Sequence, residues 1–183
     1  YSKNVILDTK YDEIKKVYGN DCYVVVENGT KKLVKKDGTD LLTSGFDEIT
    51  QVLASQENAV IFKKSEKYGI MDLTGKVAIE PQYEDLKEAK TGTFIAKKDG
   101  QYGIVNMLNT TAIEFKYANI AYQEKADLYI ADDKDGNTNI LDSNLETKVS
   151  GILVDFNIDK GYFKLRQDND YKYYNFKFEE KRE

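Results

Sequence analysis

With 183 residues, 40% hydrophobic and 32% charged, the chain has the length and composition of one folded domain, and about 70% of its unfolded surface can be buried without metal or disulfide. There is no histidine, which removes every His-based triad, general base and metal site; the single cysteine, Cys22, closes no internal disulfide and builds no Cys-ligated zinc centre. A net charge of -5 opposes a nucleic-acid surface, which needs clustered excess Lys and Arg.

The chain opens at Tyr1 without a methionine, as expected if a leader or an upstream domain has been cut away. No signal-peptide pattern stands at its start. The longest apolar run, Cys22 to Val26, is far short of the ~18 residues of a spanning helix, so no membrane span is expected. The scarcity of cysteine fits a protein at the surface or exterior of a bacterium, the first expectation, and fits many cytosolic proteins too.

Laid against itself, the sequence repeats with a period of about 35 residues. The stretches EKYGIMDLTGKVAIEPQY (66–83) and GQYGIVNMLNTTAIEFKY (100–117) align without a gap, and the same frame recurs at 29–46 and 136–153. A truncated second half lies at 1–11 and a truncated first half at 169–183. Apolar pairs mark the frame in chain order: Leu33/Val34, Ile70/Met71, Ile104/Val105, Ile140/Leu141 and Tyr173/Tyr174. Closing positions follow at Tyr11, Phe46, Tyr83, Tyr117 and Leu153, and a last set stands at Tyr23, Val60, Phe94, Ile130 and Phe163.

Turn chemistry identifies each unit. Asn28-Gly29, Asp99-Gly100 and Asp135-Gly136 share one frame position, and such dipeptides accept the positive φ angles of two-residue hairpins. A second turn follows at Asp37-Gly38, Thr74-Gly75 and Leu108-Asn109. The segments between are short and rich in Val, Ile, Tyr and Phe, which is strand composition. The expectation is an all-β fold of five tandem units, each an antiparallel meander of three or four strands. The units run over 29–65, 66–99, 100–135 and 136–168, with 1–28 and 169–183 sharing the fifth. Such sharing would close a small propeller-like ring; an open stack of meanders is the alternative.

These residues resemble the WG-repeat (KWG-type) family of bacterial β-repeat proteins. Tyr68-Gly69-Ile70-Met71-Asp72, Thr74-Gly75-Lys76, Ile79, Pro81 and Tyr83-Glu84 follow the family unit in order, and Tyr102-Gly103-Ile104 with Tyr117 follow it again. Tyrosine holds the tryptophan position. The resemblance implies a structural or binding role and supplies no catalytic residue.

Acid pairs recur after the closing aromatic: Asp12-Glu13, Asp47-Glu48 and Glu84-Asp85, with Asn119 and Asp155 at equivalent places. Around a ring they would form a negative annulus able to gather a cationic partner, or they are solvated turn residues. Asp133, Asp135, Asn139 and Asp142 have spacings seen in calcium loops, but Ala131 stands where the first ligand is needed, so a plain hairpin is the better reading. The tyrosines suggest sugar stacking, yet Tyr11, Tyr23, Tyr68, Tyr83, Tyr102 and Tyr117 sit on repeat positions, as core residues would. Cys22 lies in an apolar strand as an inert thiol. Lysines at 31/32, 35/36 and 97/98 flank turns and guard edges. No nucleophile elbow or phosphate loop is present. The sequence thus predicts a non-catalytic module without cofactor that binds a protein or glycan. A carbohydrate-binding or glycan-processing protein on a propeller-like scaffold is the alternative.

Overall fold

The computed structural model describes residues 10–17, 21–53 and 59–181. Their secondary structure is β throughout, apart from one 3-10 turn at Glu124–Ala126. The first sheet holds β1 (Glu13–Lys16), β2 (Cys22–Glu27), β3 (Thr30–Lys35) and β4 (Asp40–Leu42). The second holds β5 (Glu48–Val52), β6 (Ala59–Lys64), β7 (Lys67–Asp72) and β8 (Val77–Tyr83); the third holds β9 (Asp85–Lys90), β10 (Thr93–Lys98), β11 (Gln101–Asn106) and β12 (Thr111–Tyr117). In the fourth, β13 (Asn119–Gln123), β14 (Leu128–Asp132) and β15 (Thr138–Leu141) lead to a long β16 (Thr147–Asn157). The far half of β16 starts a fifth meander with β17 (Tyr162–Gln167), β18 (Asp170–Asn175) and β19 (Glu180–Lys181). All pairings are antiparallel between sequence neighbours.

The sheets start after the closing aromatic, at residues 13, 48, 85 and 119, and not at the hairpin positions 29, 66, 100 and 136. Strands β1 and β2 pair within the first sheet and not with 169–183, while Glu180–Lys181 fills the outer place of the fifth. Residues 1–9, the proposed partner of the C-terminal half unit, lie outside the described residues. In the fourth unit β14 pairs Tyr129 with Leu141, as β10 pairs Phe94 with Val105. Tyr129, not Ile130, therefore continues the Tyr23–Val60–Phe94–Phe163 series, because the fourth hairpin is one residue longer.

Glycine in the Tyr-Gly motif has a steric cause. Tyr68 pairs with Tyr83 and Ile70 with Ile79, so β8 bulges over Gly69. A Cβ on Gly69 would lie 2.4 Å from the Ile79 carbonyl oxygen and 2.9 Å from the Pro81 nitrogen. Proline suits a bulge, where no ladder donor is needed. Gly103 sits under the matching bulge of β12, with Ile113 O at 2.7 Å and the Phe115 ring at 3.0 Å from its would-be Cβ. The fourth unit has Asn139 at this place and pairs it regularly with Ser150. Without the bulge, glycine is not required.

The turn after the third strand is equally stereotyped. Asp72, Asn106, Asp142 and Asn175 each accept the backbone N–H groups two and four residues ahead, at 2.8 to 3.0 Å. Leu145 and Phe178 take the left-handed φ, 68° and 65°, that Gly75 takes in the second unit. Their side chains pack against neighbouring cores, which offsets the strain.

Four apolar cores join the five sheets in series. Leu33, Val24 and Leu42 meet Val60, Phe62 and Met71; Ile61, Ile70 and Ile79 meet Phe94, Ala96 and Val105. Ile95 and Ile104 meet Tyr129, Ala131 and Leu141, and Ile130 and Ile140 meet Phe163, Leu165 and Tyr174. Among the described residues no such core joins the fifth sheet to the first, which agrees with the open stack.

Tyr129 is fully buried in the third core, its ring centroid 4.8 Å from that of Tyr122, and its hydroxyl has no partner among the described residues. Burial pushes its pKa up. An unmade buried hydrogen bond costs about 1–3 kcal/mol, so Tyr129→Phe is expected to stabilise the protein by roughly 1 kcal/mol, read as a rise in the urea midpoint at unchanged m-value.

Candidate functional site

The predicted acids gather along the ends of the sheets that carry the hairpins between second and third strands. The first acid of each pair is committed to the hairpin itself. Asp12 accepts the Asn28 N–H at 3.1 Å, Asp47 the Ser65 N–H at 2.7 Å and Glu84 the Gly100 N–H at 3.2 Å. The turn residues Asn28-Gly29, Ser65-Glu66 and Asp99-Gly100 all have positive φ, the two-residue geometry that suits a twisted hairpin. Ser65-Glu66 adopts it without glycine.

The second acids are mostly spent as well. Glu48 is ion-paired with Lys15 of the first sheet. Asp85 accepts the Tyr102 hydroxyl at 3.4 Å and Asp155 that of Tyr162 at 2.7 Å. Glu13 is exposed, and Asn119 is exposed opposite Asp132. Lysines interleave with these acids: Lys31 donates to the Asp47 carbonyl at 2.7 Å and Lys67 lies 3.8 Å from Glu84. The rim is therefore a band in which lysines stand among the acids.

Between the first and second sheets a cleft of about 250 Å³ is lined by Glu13, Lys15, Lys31, Asp47, Glu48 and Lys63 over a floor of Val24 and Val26. Lys63 also donates to Glu66 at 2.7 Å. Further along, Lys63 stands over the Tyr68 ring at 5.6 Å and Lys97 over Tyr102 at 5.5 Å. This repeated cation–π contact is made across a strand pair at the motif aromatic. Tyr83 and Tyr117 are buried core residues; Tyr11, Tyr23, Tyr68 and Tyr102 are half-buried. Cys22 is buried, and burial raises its thiol pKa.

The calcium candidates do not converge. Asp133 folds back on the Asp135 and Asn137 N–H groups at 2.8 and 2.9 Å, and the Asn137 contact holds its carboxyl below the usual range. Asn139 donates to the Tyr117 hydroxyl at 3.2 Å and accepts from Ser150 at 2.6 Å. Asp142 caps the following turn and pairs with Lys148 at 3.1 Å, while Asp135 is exposed. Among the described residues no three acids or cysteines form a group able to hold a metal. Calorimetric titration with millimolar calcium is expected to release no heat.

Between the third and fourth sheets, Asp127 accepts from Tyr122 at 2.7 Å and from Lys90 at 2.9 Å. Desolvation and the bond to Asp127 push the Tyr122 phenol up to about 12. An unfolded tyrosine titrates near ~10, so this contribution to stability is intact below pH ~10 and is lost as pH rises towards 12. Tyr122→Phe is expected to lower the melting temperature at neutral pH and to flatten its fall across that alkaline window.

The sequence did not single out the cleft, because its lining comes from strands of two units that meet only in space. Residues 68–102 match the family described as WG containing repeat. No curated protein matches the chain. Among solved structures it is similar to Hsv2p of Kluyveromyces lactis, at 10% identity and a TM-score of 0.54 over 91% of this chain and 62% of that one. The C-terminal WD40 domain of Sif2 gives 13% and 0.52 over 91% and 56%. BamB of Moraxella catarrhalis gives 12% and 0.50 over 91% and 59%. At such identities the likeness concerns fold alone. The chain spans 62% or less of the length of each of these structures. The five sheets thus have the arrangement of successive β-propeller blades, and residues 68–102, which run from Tyr68-Gly69 to Tyr102, are similar to the WG containing repeat.

Proposed function

We propose that the chain is a non-catalytic interaction module that engages a protein partner through its hairpin rim, centred on the cleft between the first two sheets. The observation carrying this reading is the fate of the sheet faces. Both faces of the second, third and fourth sheets are consumed by stacking, which leaves edges, turns and clefts as the surface for partners. The cleft offers carboxylates and ammonium groups around an apolar floor, a lining that suits a peptide segment carrying both signs of charge. The propeller-like neighbours, a WD40 domain among them, agree with an interaction role.

A glycan ligand is the second reading. It draws on Tyr162, Tyr171 and Tyr173, which share one face of the fifth sheet, Tyr171 being 56% exposed. Probing the protein on a peptide array of mixed charge and on a glycan array separates the two. Binding to peptides bearing both signs, weakened roughly 10-fold by Glu13→Lys with Lys31→Glu, is the expected outcome. Binding confined to glycans and indifferent to that double variant would transfer the site to the fifth sheet, and turnover in a glycosidase panel would overturn the non-catalytic reading.

A further inference from the structure

In each of the first four sheets the central cross-strand pair that faces the next sheet is aliphatic: Val24–Leu33, Ile61–Ile70, Ile95–Ile104 and Ile130–Ile140. In the fifth sheet the same register places Lys164 opposite Tyr173. The neighbouring fourth-strand position, aliphatic in Leu42, Ile79, Ile113 and Val149, is Lys181 opposite Tyr173. The change is confined to one side, because the inward face keeps Phe163, Leu165 and Tyr174 in the fourth core.

The substituted side chains are organised among themselves. The Lys164 ammonium lies 4.5 Å from the Tyr171 ring centroid and 4.7 Å from that of Tyr173. Tyr162 meets Tyr173 edge-on at 5.7 Å and anchors its hydroxyl on Asp155. Ile152, Val154 and Tyr171 on this sheet remain exposed. Long amphipathic side chains lying across a sheet shield its backbone while keeping their polar heads in water.

We propose that the fifth sheet is the terminal cap of the stack: its outward face is built to remain in water and to refuse a further sheet of the same kind. A following sheet would present positions equivalent to Val60/Met71, Phe94/Val105 and Tyr129/Leu141, all apolar in the stack. Laying these on Lys164 would strip water from an ammonium and from phenol hydroxyls, and even a paired buried charge returns less than an aliphatic contact of similar volume. Repeat arrays need such polar outer faces at their ends to stay soluble.

The test appends a copy of residues 84–117 after residue 181, once on the natural face and once on a Lys164→Ile, Tyr173→Ile face, and follows amide exchange in the appended sheet. Exchange slowed by ~100-fold on the double variant alone is expected. Equal protection on both faces, or protection on neither, would overturn the assignment. Nitration of the unmodified protein gives a second reading. Tyr171 should react at the rate of an exposed phenol, and its protection would also count against the cap.

Discussion

Gly69→Ala is expected to cost roughly 3 kcal/mol, at the upper end of overpacking penalties. The new methyl would stand 2.4 Å from the Ile79 carbonyl oxygen, 2.9 Å from the Pro81 nitrogen and 3.0 Å from the Glu80 carbonyl carbon, at or inside the closest approach of non-bonded atoms. The obstacle is backbone on the facing strand, so no side-chain rotation relieves it. Either β8 moves off β7 or the Glu80–Gln82 bulge is rebuilt. Gly69 does not have a left-handed φ, so the penalty is purely one of space. Asn139→Ala, at the regular fourth-unit counterpart, should lose only hydrogen bonds to Tyr117 and Ser150. Urea midpoints of the two variants make the comparison. If Gly69→Ala were no more costly than Asn139→Ala, the steric account of the motif glycine would be wrong.

Phe163→Ala is expected to remove roughly 3–5 kcal/mol, as for other buried phenylalanines, and the loss should be felt in one place. Phe163 is fully buried, stacks on Tyr174 at 5.5 Å and lies in the core between the fourth and fifth sheets. In a serial array each sheet gains stability from its neighbours only. Amides of 162–175 should therefore lose exchange protection while those of the first three sheets keep theirs. In a closed ring the same cavity would lower protection everywhere, so a uniform loss across all five sheets would refute the open architecture.

Much of this fold is legible in the sequence because two signals are local. Asn28-Gly29 and Asp99-Gly100 announce hairpins by conformational tolerance, and pairs such as Ile70/Met71 and Ile104/Val105 report strands buried on both faces. What a period does not report is its phase. A repeat can be cut anywhere along the polypeptide, and hydrogen bonding chose a cut after Tyr83 and Tyr117 where the turns suggested one at residues 66 and 100. One extra turn residue was enough to exchange Tyr129 for Ile130. The roles of the acids were hidden for a different reason. Asp47 reads as a surface carboxylate until Ser65, eighteen residues away, is brought beneath it, and the cleft exists only because Lys15 and Glu48 come from different sheets. Lys164 and Tyr173 were visible all along as departures from an aliphatic pair, but only strand register shows that both departures fall on one face.

The connectors between sheets are unequal. Glu84 and Ala118 are single-residue joints, and the fourth and fifth sheets share the unbroken strand Thr147–Asn157, whereas residues 43–47 separate the first sheet from the second. Bending of the molecule should concentrate at that longest joint, leaving the C-terminal four sheets to move as one stiff body. The mixed-charge cleft opens across this same joint. An incoming segment could therefore adjust the jaw of its own binding site by swinging one sheet, at little mechanical cost to the others.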